Sequence, residues 1–396
     1  MKYSFTYFKS DLFAGFIVFL VALPLCLGIA LASGAPLLSA IITGIIGGIV
    51  VGMISQSHVS VSGPAAGLTA IVFTAISSLG SFEIFLTAVV LAGLFQLILG
   101  LIRAGSISNY FPSSVIEGML TGIGIIIILK QIPHATGHTM HSGAIIISIT
   151  SLLILIVCKQ IPFFNQNKYL PTELIVVVAS VLMNKYFIST DSVLKIQHNL
   201  LVQLPVIDHP KALFSELIHP DFNGLNNYQV WVTAFTIAAV ASIETLLCLE
   251  AAEKLDPLKR YADSNRELAA QGIGNMLSGF LGGLPMSSVI VRTSANVSSG
   301  AKTKLATIIH GIFLVLALIL FASLINQIPL ASLAAILIMI GFKLANPSIF
   351  IQMWKSGKYQ FIPFIVTLLG VVFTDLLIGV TMGMIVSAVF RKHLNV

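Results

Sequence analysis

Apolar runs separated by short polar stretches follow one another along almost the whole chain. Six of them are residues 12–31, 82–101, 144–158, 230–249, 305–324 and 359–373. Most approach or reach the roughly 17 to 25 residues that a helix needs to cross a bilayer. The pattern predicts an all-α polytopic membrane protein.

Composition agrees with this prediction and excludes other classes of protein. Of the 396 residues, 57% are hydrophobic and 9% are charged. The first apolar run is too long for a cleaved signal, carries Pro24 in its middle and is followed at once by further spans. Cys26, Cys158 and Cys248 lie in or beside apolar runs, without disulfide or zinc spacing. No nucleophile–base pair, phosphate loop or metal motif indicates an enzyme.

The formal net charge of +6 is better explained by membrane topology than by nucleic-acid binding. If fourteen segments cross the membrane and both termini are cytoplasmic, most Lys and Arg residues fall inside, as the positive-inside rule requires. The outside then receives Lys130, Lys185, Lys195 and Lys211. We therefore expect an integral protein of the cytoplasmic (inner) membrane.

Two interruptions of the apolar pattern resemble each other. VSVSGPAAGLTAIV (59–72) and GGLPMSSVIVRTSANV (282–297) each combine small residues, a proline and a short apolar run. Broken helices at membrane depth line cavities or are buried in protein, and paired ones are typical of transporters with inverted repeats. Alternatively, these glycines only allow helices to pack closely.

Glu244 and Arg292 are the charged residues inside apolar surroundings that we consider functional. A carboxylate within a span suits a proton relay or a cation ligand, and Arg292 follows the second break. Helices beginning near Pro64 and Pro285 would aim their N-terminal amides into one pocket and favour an anion. Ser287, Ser288 and Val289 would supply amides on the second helix. The alternative is a structural pair between Arg292 and Glu244.

Three histidines, His134, His138 and His141, have a spacing that metal sites also show. The stretch follows Pro133 and contains Gly137, and no carboxylate or cysteine lies nearby. A polar outer loop is the better interpretation, so no metal and no cofactor are expected.

The stretch 242–303 resembles the central signature of the SulP anion permeases, the sulfate permease family. Asn265, Glu267, Gly272, Asn275 and the run Gly300-Ala301-Lys302-Thr303 belong to that resemblance. DLFAGFIVFLVALPLCLGIALASGAP (11–36) is similar to the family's first helix, and residues 59–72 to its third. The resemblance extends from Asp11 to Arg391.

The resemblance implies one transmembrane domain over residues 1–396, with fourteen segments in two inverted repeats of seven, about 11–188 and 229–391. Core and gate domains enclose the substrate, and segments 3 and 10 are half-helices. It places the anion site on Leu68, Thr69, Ala70, Val289, Ile290, Val291 and Arg292, and coupling at Glu244 and Cys248. Most relatives carry a cytosolic STAS domain after the last helix; none is expected here.

The implied function is secondary active, elevator-type transport of a small inorganic anion, sulfate or bicarbonate. Cysteine is a poor sodium ligand, so Cys248 favours proton coupling or exchange over sodium symport. The alternatives are a nucleobase–proton symporter of the same fold and a passive anion channel. The expected partners are the anion, a co-transported proton and the lipid bilayer, with a homodimer as an option and no nucleic acid.

Overall fold

A computed structural model describes residues 7–106, 112–137, 140–161, 171–206, 215–374 and 376–393. His138 lies outside these residues. The helices of the first half are α1 (Phe8–Ala32), α2 (Leu37–Ile54), α3 (Thr69–Leu79), α4 (Phe82–Leu101), α5 (Ser113–Thr136), α6 (Ser142–Gln160) and α7 (Thr172–Ser189). Those of the second half are α8 (Tyr228–Leu255), α9 (Ser264–Phe280), α10 (Ile290–Ser298), α11 (Leu305–Leu320), α12 (Leu330–Leu344), α13 (Lys358–Phe373) and α14 (Leu376–His393). Short unlabelled helices occupy Ala322–Ile325 and Pro347–Lys355.

The described residues are mostly helical, as predicted. Within the described residues, seven helical stretches are long and apolar enough to cross a membrane, and five shorter apolar helices accompany them. Large apolar side chains such as Leu101, Leu182 and Phe373 are exposed on the outside of the molecule, where lipid would cover them. The fold is that of a polytopic helical membrane protein.

Two groups of helices are evident from their packing. In the first group α4 packs on α8 and α9, and α1 packs on α11. In the second group α5 packs on α12 and α13, and α13 packs on α14. Contacts of α1 with α7 and α12, and of α3 with α5, join the two groups.

Glycines bring α4 and α9 into close contact. A Cβ atom on Gly93 would lie 2.4 Å from the backbone nitrogen of Met276, and one on Gly272 would lie 2.5 Å from that of Leu97. Small residues permit this approach of two backbones in a membrane protein. The backbones of α4 and α9 are therefore in direct contact.

A polar clamp ties three segments together at one end of the molecule. Arg260 donates from Nε and Nη2 to the carboxylate of Asp256, over 2.7 and 3.1 Å, and from Nη1 to the carbonyl of Lys302. The buried carboxylate of Asp11 accepts from the backbone N–H groups of Lys302 and Thr303, over 2.7 and 3.1 Å. The clamp therefore fixes the start of α1 and the end of α8 to the loop between α10 and α11.

We expect Arg260→Gln to destabilise the protein at neutral pH by about 1.5–3 kcal/mol, the usual contribution of hydrogen bonds to a charged group. Burial raises the pKa of Asp256, but hydrogen bonds from Arg260 and the Leu258 N–H, together with the charge of Arg260, hold it below its ordinary value. The stabilisation that the Arg260–Asp256 pair provides is thus complete above the unfolded-state pKa of Asp256, about 3.9. It is lost as the pH falls through the lower folded-state pKa of Asp256.

Thermal melting of the purified protein in detergent checks this prediction. The melting temperatures of Arg260→Gln and the parent should differ at pH 7 and converge in acid. Lys254→Gln is the control, because the pair of Lys254 with Glu250 is exposed and such pairs contribute little. An equal loss in both variants would contradict the prediction.

Candidate functional site

The two breaks found in the sequence pair with each other in space. Strand β1 (Ser62–Pro64) and strand β2 (Met286–Ser288) are antiparallel, with Gly63 opposite Ser287. A single turn, Ala66–Leu68, leads from β1 into α3, and α10 begins two residues after β2. Two short helices therefore start from one small sheet in the interior.

The second helix starts later than predicted. It begins at Ile290 rather than near Pro285, because residues 286–288 are extended and pair with β1. The predicted amide donors are consequently in use: the N–H of Ser288 donates to Thr245 Oγ1 over 3.2 Å, and that of Val289 to the carbonyl of Val61 over 2.9 Å. The expectation that they face a ligand was wrong for these two groups.

Polar side chains from neighbouring helices support the break before α10. Asn275 accepts from the Met286 N–H over 2.7 Å and donates to the Met286 carbonyl over 3.0 Å, as a paired strand would. Thr43 Oγ1 accepts from the Leu284 N–H over 2.6 Å, and Gln96 accepts from Asn275 over 2.6 Å. These bonds satisfy backbone groups that lipid cannot.

The backbone N–H donors left free at the start of α10 belong to the residues one to three positions after Val289. The first bond from a residue inside the helix runs from the Thr293 N–H to the Val289 carbonyl, over 3.0 Å. The N–H groups of Ile290, Val291 and Arg292 precede it and have no partner within the helix. Cys248, which is buried in α8, lies against the Ile290 N–H. Val291 and Arg292 therefore carry the amides that remain at this helix end.

Glu244 lies between the two helix starts. Its carboxylate faces the Ser287 hydroxyl of β2 and the backbone N–H of Gly67, just before α3. A Cβ atom on Gly67 would lie 3.0 Å from Glu244 Oε1. Oε2 is buried and has no hydrogen-bond partner among the described residues, so this oxygen is available to a proton or a ligand.

Arg292 is fully buried behind the small sheet. Its Nη2 donates to Cys26 Sγ of α1 over 3.4 Å, and His310 of α11 lies within its electrostatic reach. A Cβ atom on Gly63 would lie 2.0 Å from Nη1. The ion pairs among the described residues are Lys195–Asp191, Lys254–Glu250 and Arg260–Asp256. The alternative of a structural Arg292–Glu244 pair is therefore wrong, and no carboxylate of the described residues neutralises the guanidinium charge.

The remaining predicted site residues divide into buried and accessible ones. Leu68 and Thr69 are buried, and the Thr69 hydroxyl donates to the Ala66 carbonyl over 2.8 Å. Ala70, Val289, Ile290 and Val291 are partly exposed. Ala70 also lines a cavity of about 490 Å³ between α3, α5 and α8. The accessible members thus surround the starts of α3 and α10.

Two of the three histidines of the stretch 134–141, His134 and His141, lie among the described residues. Among the described residues, no three His, Cys, Asp or Glu side chains lie together as metal ligands would. His134 lies in the last turn of α5 and lines a cavity of about 740 Å³, and His141 precedes α6. His138 cannot be placed.

Several residues of the site were given no structural role from the sequence. Thr43, Gln96 and Asn275 support β2, and Gly63 and His310 enclose Arg292. All but Gly63 are polar residues within apolar helices, and that contrast is a signal visible in the sequence. The close approach of Gly63 to Arg292 is not visible, because it depends on the pairing of two segments far apart in the chain.

Known proteins resemble this chain both in sequence and in fold. A model described as the sulfate permease family matches residues 8–144 and 137–367. A protein of Bacillus subtilis (strain 168) named "Putative sulfate transporter YvdB" is 27% identical over 98% of this chain and 74% of its own. The bicarbonate transporter BicA of Picosynechococcus is 27% identical over 98% of this chain and 71% of its own.

A solved structure has the same architecture. The transmembrane domain of a cyanobacterium bicarbonate transporter, BicA, superimposes with a TM-score of 0.76 at 24% identity. The match covers 97% of this chain and 98% of that domain. At this identity the likeness concerns the fold.

Proposed function

Because the chain belongs to the sulfate permease family of membrane transporters, we propose that it is a secondary active transporter of a small inorganic anion, sulfate or bicarbonate. The relatives named above are described as sulfate and bicarbonate transporters. The anion binds at the starts of α3 and α10. The accessible surface there belongs to Ala70, Val289, Ile290 and Val291.

The observation that carries the proposal is the unneutralised charge of Arg292 behind two helix N-termini. A buried charge acts over a longer range than one in water, because the local dielectric constant is low. The positive ends of α3 and α10 add to its field, and the Val291 and Arg292 amides are oriented donors. An anion gains from all three, whereas a cation is repelled.

A nucleobase–proton symporter fits this site less well. Such a transporter is expected to hold its neutral base with carboxylates on both α8 and α10. Residues 289–298 include Arg292 and no acidic residue. Glu244 on α8 therefore has no matching carboxylate on α10, and an electropositive site favours an anionic cargo over a neutral base.

Glu244 is the proposed coupling residue. Its unpartnered Oε2 lies beside the small sheet and the helix starts, so binding a proton there changes the charge next to the anion. Cys248 occupies the neighbouring position one turn along α8 with a sulfur atom, which sodium does not prefer as a ligand. Proton symport or exchange is the mode that these residues support.

The proposed mechanism is alternating access of the elevator type. Fourteen membrane segments form two inverted repeats, about 11–188 and 229–391, with both termini on the cytoplasmic side. The group containing α1, α3, α8 and α10 is the moving core, and the group around α5, α12, α13 and α14 is the gate. The separate packing of the two groups supports this division.

Binding measured on the purified protein tests the choice of cargo. Thermal melting in detergent is followed with added sulfate, bicarbonate and uracil at equal ionic strength. A ligand that binds the folded state raises the melting temperature with a saturating concentration dependence. Sulfate or bicarbonate should do so and uracil should not. Stabilisation by uracil alone would overturn the proposal.

A further inference from the structure

Lys130 occupies an unusual position between the two groups of helices. It lies on α5, in the gate group, and its Nζ is 3.2 Å from the centre of the Phe73 ring of α3, in the core group. The lysine is partly buried and Phe73 is 41% exposed. This cation–π contact therefore crosses the boundary between the two groups.

Lys130 also lines two cavities. One is about 490 Å³ in volume and extends past Ala70 and Thr74 of α3 to Thr233 and Gln229 of α8. The other is about 740 Å³ and reaches Asn199 and Gln203, in the polar stretch after α7. At about 30 Å³ per water molecule, each has room for an anion with its hydration shell. Lys130 is the residue common to the two linings.

The charges around these cavities have one sign. Neither lining contains an Asp or a Glu, and Lys130 forms none of the three ion pairs found in the described part of the chain. The cavity of about 490 Å³ offers hydroxyl groups from Thr74 and Thr233. A single ammonium group with hydroxyl donors and no competing carboxylate favours an anion.

We propose that Lys130 is an outer capture site for the transported inorganic anion, distinct from the site at the helix starts. This inference rests on the proposed function and on the predicted orientation, which places Lys130 outside. The anion enters the larger cavity, binds the ammonium group and passes along α3 towards Ala70. The contact of Lys130 with Phe73 lies on this route.

Chemical labelling tests anion binding at Lys130 without requiring transport. The purified protein in detergent is acetylated by an N-hydroxysuccinimide ester, and each lysine is followed by mass spectrometry. Sulfate should slow the labelling of Lys130 with a saturating concentration dependence and leave exposed Lys185 of α7 unaffected. A large organic anion at equal ionic strength should protect neither. Equal rates at Lys130 with and without sulfate would overturn the inference.

Transport kinetics separate this inference from the proposed function. In proteoliposomes, Lys130→Gln should raise the half-saturating sulfate concentration about tenfold for uptake from the outer face, the effect of losing one charged partner. The maximal rate and the half-saturation from the opposite face should change little. Lys130→Arg should keep the half-saturating concentration of the parent, and Lys185→Gln is the matched control. If the parent transports sulfate and Lys130→Gln has unaltered kinetics, only the proposed capture site is wrong. If the parent transports no anion, the proposed function is wrong, and the labelling experiment then decides whether Lys130 binds sulfate.

Discussion

Replacing Glu244 with glutamine is expected to abolish the response of anion uptake to an imposed pH gradient while anion binding persists. Glutamine keeps the size of the side chain and its hydrogen bonds to β2, but it cannot take up a proton at the position of Oε2. Anion affinity should stay within about fivefold, because one altered hydrogen bond is worth about 1 kcal/mol. Labelled sulfate uptake into proteoliposomes, with and without an inward acidic gradient, measures both properties.

The control for this experiment lies on the same helix. Glu250→Gln removes an exposed carboxylate that pairs with Lys254, so it should leave the pH response intact. A Glu244→Gln protein whose uptake still accelerates in the acidic gradient would exclude Glu244 as the coupling residue.

Replacing Gly63 with alanine is expected to destabilise the protein, because the added methyl group would have to displace the buried guanidinium of Arg292. The new Cβ would lie 2.0 Å from Arg292 Nη1, and the guanidinium is enclosed by Cys26 and His310. Overpacking of this kind costs about 1–3 kcal/mol. It should lower the melting temperature in detergent and reduce sulfate uptake, because β1 and Arg292 support the helix starts.

A double-mutant cycle assigns the loss to this contact. Arg292→Met keeps a long side chain but removes the group that alanine would strike, so the two substitutions together should cost less than the sum of their separate effects. Gly52→Ala in α2, where the nearest atom would be 3.3 Å away, is the milder control. Strict additivity of the Gly63 and Arg292 effects would contradict the proposed contact.

The sequence predicted the helical membrane fold and the position of both breaks because these depend on local properties. Apolar run length marks the spans, and small residues with a proline mark residues 59–72 and 282–297. The same pattern located Glu244 and Arg292, since charged residues stand out among apolar neighbours. Their roles at the site remain predictions.

The details that sequence reasoning missed depend on contacts between distant segments. The start of α10 moved to Ile290 because residues 286–288 find strand partners at 62–64. Arg292 was expected to face a ligand or Glu244, yet its side chain packs behind the sheet beside Gly63 and Cys26. Neither arrangement can be seen without knowing that the two breaks meet.

Uptake of labelled sulfate and labelled bicarbonate into proteoliposomes, at two imposed pH gradients, tests the central claim most directly. Unlabelled chloride, nitrate, oxalate and uracil serve as competitors. The account predicts saturable uptake of at least one of the two anions, faster in an inward acidic gradient and insensitive to uracil. Uptake of neither anion, uptake that does not saturate, or transport of uracil in their place would contradict it.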